Sequence, residues 1–384
     1  MMQLRLTDQQ IEEARDDLPY VRQVIYVDNA AVSPVPKRVQ AAMNQHTEYV
    51  VQDPREATAL SIPIFDHGRA RAAKLVGSKP DRIAYVQNTS HGLSLVALGL
   101  DWREGDNLVI PAHEFPSNYL CWLQLEAQGV EVRKIDAVGG RLRPEDLRVL
   151  VDDRTRLVAV SHVQFYSGFR VDLHRFGEIC SRHNALLVVD GTQSIGALTL
   201  DVLAANVDVL VVSGHKWMLA PRGIGFISIS DRAFEQIRPK VLGWLSVNEP
   251  FAFNRTLDVL PDARRFEAGT PNGAGIFGLV ERLRQIDELG AASIEQRVLD
   301  LNQLLIDLCD EADLDVAFRF ERNARSGILL VRKPGVPSDV LLGALSSERI
   351  YASIRNGAVR LSPHYYNTIP EIEQIVTILA RAGR

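Results

Sequence analysis

Asp190, Ser213, His215 and Lys216 stand where chemistry could be done. Asp190 closes the apolar run 186–189, the other three follow the run 207–212, and a third apolar run spans 224–229. Apolar, β-branched runs this short, bounded by Gly, Asp and Ser, read as buried strands. In open α/β sheets ligands sit at the carboxyl ends of the strands, so Asp190 and Lys216 can face one pocket, with Gln193 between them in sequence. A plainer reading is an Asp that caps a helix and a lysine in a surface loop. A lysine inside the mostly apolar stretch SGHKW is poorly placed for solvation, which argues against it. A chemistry that uses one carboxylate and one lysine is that of pyridoxal phosphate (PLP), whose aldehyde condenses with an amine and whose ring nitrogen stays protonated beside a carboxylate.

The succession DGTQSIG, SGHKW and PRGIGF resembles the fold-type I PLP enzymes. Within them it is most similar to the class V aminotransferase family, which holds cysteine desulfurases, isopenicillin N epimerase and, more distantly, kynureninase. The similarity extends from about Tyr26 to the C-terminus. It implies a three-layer α/β fold of the PLP-dependent transferase type, with a mostly parallel central sheet and a smaller α+β C-terminal domain. It also implies PLP as cofactor, a small amino acid as substrate, and Lys216, Asp190 and His215 as catalytic candidates, with Ser213 beside them.

Other stretches take their meaning partly from that resemblance. Asn88-Thr-Ser-His-Gly follows the strand at 83–87 and opens a helix; hydroxyls and free N–H groups at a helix N-terminus suit a phosphate, although ordinary capping explains Thr89 or Ser90 equally well on its own. The resemblance favours phosphate binding by Thr89 and Ser90, with His91 beside them. Phe115 lies at the carboxyl end of the strand at 107–110, where an aromatic ring can stack on a flat cofactor or simply start a helix core. Many relatives carry His there. Gln164, in Gln-Phe-Tyr after the strand that begins at Leu157, looks kynureninase-like; desulfurases have Asn where this chain has Phe165. Gln164 is therefore expected near the pocket and Gln193 at the phenolic oxygen of PLP.

Asn29 and Ala30, in the turn after Tyr26, match family residues that line the substrate pocket. Thr270, in Glu267-Ala-Gly-Thr-Pro-Asn, matches one that reaches the phosphate of a partner subunit, which implies a homodimer with shared sites. Arg355 and Arg360 fall on adjacent strands, and the arginine fork is the usual grip for a substrate carboxylate; Arg360 matches the family's carboxylate-binding arginine. In desulfurases a mobile loop between these positions carries the cysteine that accepts sulfur. Here only Asn356, Gly357, Ala358 and Val359 stand between them, which argues against a persulfide on this chain. The expected activity is aminotransferase chemistry on a small α-amino acid, with a lyase or epimerase as the alternative. A PLP-binding regulator is the third reading; the absence of a DNA-binding segment before Thr7 counts against it.

The elements that must position these residues alternate between strand and helix from 83 to 229, without repeats or low-complexity linkers. A helix after Thr7, one over 37–51, a long aromatic-bearing loop over 241–262, and helices from Gly275 and Ala291 complete the main body. Strands at 328–331, 350–354 and 359–362, with helices near 338–345 and 370–380, form the last unit. The expected division is a large PLP-binding domain over 17–290 and a small domain over 291–384 together with the helix 1–16. With 384 residues, 46% of them hydrophobic, the chain can bury a sizeable core. A net charge of −5 gives no reason to expect nucleic acid or an anionic membrane as partner. The N-terminal stretch is acidic where a signal peptide would be apolar, which implies a cytoplasmic protein. Cys121, Cys180 and Cys309 are scattered among apolar neighbours and read as reduced core thiols.

Overall fold

The computed structural model describes residues 5–253 and 255–383. Its strands are β1 (Ile25–Tyr26), β2 (Ile83–Val86), β3 (Asn107–Pro111), β4 (Glu131–Ile135), β5 (Thr155–Ser161), β6 (Leu186–Asp190), β7 (Val209–Ser213), β8 (Gly225–Ile229), β9 (Asp315–Val316), β10 (Leu329–Arg332), β11 (Ile350–Tyr351), β12 (Ser353–Arg355) and β13 (Ala358–Leu361). The central sheet runs β2-β8-β7-β6-β5-β3-β4. Strands from β7 through β4 pair in parallel, whereas β8 pairs antiparallel with both β7 and β2. The short segment between β7 and β8 holds no crossover helix, and without one the chain returns antiparallel.

Both faces of the central strands are covered, which is why β6, β7 and β8 read as apolar runs, whereas the edge strand β4 is half exposed and carries charges. Leu187, Val189, Leu210 and Val212 join one core cluster, while Leu186, Val188, Val209 and Val211 join the one on the opposite face. Successive side chains point to opposite faces of a strand, so one apolar run serves two layers. Each buried Leu or Val contributes about 1.5–3 kcal/mol relative to exposure. The three-layer α/β architecture follows.

The C-terminal unit has its own sheet, β12-β13-β10-β9, backed by the helices Ser338–Ser347 and Ile369–Arg381. Two details differ from the sequence reading. The stretch 350–354 splits at Ala352: β11 pairs with β1, and β12 pairs with β13 in a different sheet. The segment after Tyr20, assigned to the large domain, is stitched to the C-terminal unit by β1–β11 pairing, by the Asp28–Ser362 bridge and by Val27 in that unit's core. The helix Ala291–Glu311 spans both bodies, with Ile294 and Val298 in the large core and Leu301, Leu305 and Cys309 in the C-terminal one. The first helix, Asp8–Asp17, has the Thr7–Gln10 capping box and is fastened by Arg15, which bonds the Tyr366 carbonyl and Glu371. Among the described residues no helix is long and apolar enough to cross a membrane.

Candidate active site

A cavity of about 320 Å³ opens at the carboxyl ends of β5, β6 and β7 and is closed from the other side by β12 and β13. Asp190 ends β6, Ser213 ends β7, and His215 and Lys216 follow immediately; all four line the cavity. The Lys216 loop is held against the DGTQS stretch by two devices. Trp217 donates its indole N–H to Gln193 Oε1 at 2.8 Å. Gly196 has φ 102° and lies so close that a Cβ there would strike the Trp217 carbonyl.

Lys216 Nζ lies 5.1 Å from the centre of the Phe115 ring. Burial lowers its pKa to about 8, with Asp190 pulling the other way and the positive charges of Arg360 and Arg355 assisting. Burial raises the Asp190 pKa, countered by the Thr192 N–H, which donates to Oδ1 at 2.8 Å, and by Lys216. His215 is held down at about 4 by burial and by its cationic neighbours, so it is neutral at pH 7.

At the far end, Asn88 caps the helix Thr89–Gly99 by accepting the His91 N–H at 2.9 Å. Ser213 Oγ accepts the Thr89 N–H at 2.8 Å, and the hydroxyls of Thr89, Ser213 and Thr192 form one hydrogen-bonded cluster. Ser90 donates to Ser117 at 2.7 Å. Hydroxyls and a helix N-terminus thus face the cavity together.

On the side closed by the C-terminal unit, Arg360 is 1% exposed; among the described residues it makes a single ion pair, Nη2 to Asp28 Oδ1 at 3.3 Å, and its buried Nε has no partner. Asp28 also accepts the Ser353 hydroxyl at 2.7 Å. Arg355 lines the same cavity, and its Nη1 donates to the Ile354 carbonyl. Between the two arginines the chain turns through Asn356 and Gly357, at φ 49° and 63°, with Arg355 paired to Ala358. This is the two-residue Asn-Gly hairpin turn.

The structure thus brings Ala30, Thr89, Ser90, Phe115, Asp190, Gln193, Ser213, His215, Lys216, Arg355 and Arg360 to one cavity. Four expected residues lie elsewhere. The Asn29 amide is spent on scaffold: it donates to the Ser362 carbonyl and accepts from Ser33 and Tyr366, all at 2.8–2.9 Å. His91 Nδ1 accepts the Gln87 N–H, and its ring shares a second cleft with Thr270. Gln164 is fully buried behind the wall, its Nε2 donating to the Ser161 carbonyl at 3.2 Å. Thr192, Ser161, Ser117 and Asp28 were not singled out in the sequence, and Phe165 was noted there only as the position where desulfurases have Asn. Thr192 sits inside the DGTQS motif, and Ser161 at a strand end equivalent to that of Asp190; those were the available signals.

The sequence model of the family "Aminotransferase class-V" matches residues 25–375. The chain belongs to this family. Family members include a "Probable cysteine desulfurase" of Methanothermobacter thermautotrophicus, 32% identical over 94% of this chain and 95% of that protein. An "Uncharacterized aminotransferase YcbU" of Bacillus subtilis is 26% identical over 82% of this chain and 83% of its own length. Among solved structures, a cysteine desulfurase from Thermococcus onnurineus superposes with a TM-score of 0.88 at 28% identity, covering 96% of this chain and 97% of the other. A complex of the cystine C-S lyase C-DES with its reaction product cysteine persulfide superposes with a TM-score of 0.88 at 23% identity, over 96% and 100% of the two chains.

The class V enzymes are PLP-dependent, and this chain is an enzyme of that family. Its cavity suits the cofactor: an amine and a buried carboxylate for the two ends of the ring's chemistry, an aromatic plate, and a hydroxyl-lined helix N-terminus for an anionic group. One consequence is measurable. Condensation needs the neutral amine, so PLP uptake by the cofactor-depleted protein is expected to speed up about tenfold per pH unit below about pH 8 and to level off above it. Stopped-flow absorbance reads this rate; a flat profile across that range would contradict the desolvated environment assigned to Lys216.

Proposed function

We propose that this class V enzyme is a C–S lyase acting on a small α-amino acid with sulfur on its β-carbon, and that the sulfur leaves in a small-molecule product rather than on a cysteine of the chain. The observation that carries the reading is the Asn356-Gly357 turn. It leaves no loop to present a thiol, and the cavity is lined by no cysteine among the described residues. Cys121, Cys180 and Cys309 are all buried, and burial pushes each thiol up to about 12 or beyond, far from the thiolate form that sulfur transfer needs. Relatives named cysteine desulfurase favour cleavage at the β-carbon, and the C-DES complex supplies a precedent of like fold whose product is a free persulfide.

When bound, PLP supplies an aldehyde that condenses with Lys216 and a protonated ring that accepts the electron pair left when Cα loses its proton. In this reading the Asp190 carboxylate keeps the ring nitrogen protonated. Thr89, Ser90 and Ser213, with the helix N-terminus, would hold the phosphate. Phe115 would stack on the ring, and Gln193 Nε2, which already donates to the Ala30 carbonyl at 2.9 Å, has a second N–H that would serve the phenolic oxygen. Arg360 grips the substrate carboxylate, and the released Lys216 amine takes the Cα proton. Loss of that proton with departure of the sulfur and its electron pair completes elimination. With cystine and one water, the products are cysteine persulfide, pyruvate and ammonia.

The holoenzyme is expected to release pyruvate and ammonia in equal amounts from cystine. Transfer of the amino group to an added 2-oxo acid, with no ammonia, would sink the lyase reading and leave aminotransferase chemistry, which the same Lys216 can also perform. Alanine at each cysteine in turn should keep turnover within about threefold, since none touches the reacting atoms; a cysteine whose loss abolishes turnover in a folded variant would restore a protein persulfide.

Homodimer formation belongs to the same proposal. Trp244, Phe251, Phe253 and Leu257 are exposed, Trp244 packs edge to face on Phe251, and a Cβ on Gly269, next to Thr270, would lie 3.8 Å from the Trp244 indole nitrogen. PLP affinity and self-association should therefore rise together. A monomer by sedimentation that holds PLP fully would contradict this.

A further inference from the structure

Glu114 is a buried acid beside the cavity to which the proposed mechanism gives no part. It follows β3, directly precedes Phe115, is 6% exposed and stands behind the cavity lining. Its Oε1 accepts the Phe115 N–H at 2.9 Å and the Ser161 hydroxyl at 2.7 Å, while Oε2 accepts the Ser161 N–H at 2.7 Å and, at 3.5 Å, the Gln164 amide. Donors converging on one carboxylate make a charge-assisted clamp. Two of the clamped residues face the cavity: Phe115 beside Lys216, and Ser161, which is in register with Asp190 on the neighbouring strand.

We propose that Glu114 is a positioning residue for the reaction, holding the Phe115 main chain and the Ser161 hydroxyl on one carboxylate and so fixing the aromatic plate relative to Asp190 and Lys216. The clamp has its full, charge-assisted strength only when the acid is ionised. A protonated carboxyl brings a donor of its own, so the Ser161 hydroxyl has to reverse and accept, and the charge assistance of every bond in the clamp is lost. Asp190 on β6 and Tyr166 in the segment after β5 are titratable groups that face it; Ser161, Phe115 and Gln164 contribute neutral donors. Burial brings its pKa up to about 7, so the clamp engages as pH rises through neutrality.

The inference rests on the proposed function, so attachment of PLP to Lys216 in the unmodified holoenzyme is scored first by borohydride reduction and peptide mass spectrometry; failure there overturns both. With attachment intact, Glu114→Gln places an amide where Ser161 and Phe115 donate. Its kcat should fall about tenfold, the effect of losing one hydrogen bond to a charged group, with KM within about threefold. The bound-cofactor absorbance of the unmodified holoenzyme should show an inflection near pH 7 as Glu114 ionises beside the Phe115 plate, and Glu114→Gln should lack it. Ser161→Ala, which removes one donor from the ionised acid, should move that inflection to higher pH. The double variant should be no worse than Glu114→Gln alone, because both act through one contact. An inflection that survives Glu114→Gln, or single losses that multiply, would overturn the assignment. So would an unmoved inflection in Ser161→Ala, even if Glu114→Gln could not be purified.

Discussion

Turnover of a Lys216→Ala variant is expected to fall by at least about a thousandfold, because the substitution removes the cofactor's attachment point and the base for the Cα proton together. The size of the effect follows from the site. Lys216 Nζ is the amine beside both the Phe115 ring and the Asp190 carboxylate, and its pKa of about 8 keeps an appreciable fraction neutral at physiological pH. His215, adjacent in sequence and neutral, also lines the cavity, yet its depressed pKa of about 4 makes it a poor proton acceptor at pH 7. The variant should fold normally, since Trp217, Gln193 and Gly196 hold the loop without help from the lysine side chain. Residual turnover above about a tenth of the parent, in a folded Lys216→Ala protein, would mean that another group removes the proton.

Arg360→Lys is expected to cost about a hundredfold in kcat/KM, the equivalent of 2–3 kcal/mol for a charge-assisted bond, while cofactor binding is unchanged. Arg360 is a fully buried guanidinium that, among the described residues, has one ion pair at 3.3 Å and no partner for Nε, so donors are left over for a substrate carboxylate. Lysine keeps the charge and loses the planar fork. Arg355→Lys should do less, because that side chain is exposed and its Nη1 donates to the preceding carbonyl. Equal losses from the two variants would show the carboxylate to be shared; an unaffected Arg360→Lys would remove the amino-acid carboxylate from this end of the cavity.

How far the site was legible depended on whether local sequence fixed the direction of a side chain. Asp190 and Lys216 could be placed because buried strands announce their own ends, and whatever closes such a strand faces the ligand edge. That only four residues, none of them cysteine, separate Arg355 from Arg360 was equally visible, although the Asn356-Gly357 hairpin turn that joins the strands was not read from the sequence. Asn29 and Ala30 show the limit. Adjacent residues in an irregular segment point in different directions, and Asn29 is turned inward by Ser362 and Tyr366, more than three hundred residues away. His91 and Gln164 missed the cavity for the same kind of reason: one ring is taken by the Gln87 N–H, and the other side chain by the end of β5. The split at Ala352 between two sheets depends on the pairing of β11 with β1, which no local apolar pattern encodes.

The central claim is that Lys216 is the residue that holds the cofactor. Borohydride reduction of the PLP-loaded protein, followed by peptide mass spectrometry, tests it directly. The account predicts a single reduced pyridoxyl adduct on the peptide containing Lys216, and an adduct on Lys74, Lys134 or Lys240 instead would contradict it.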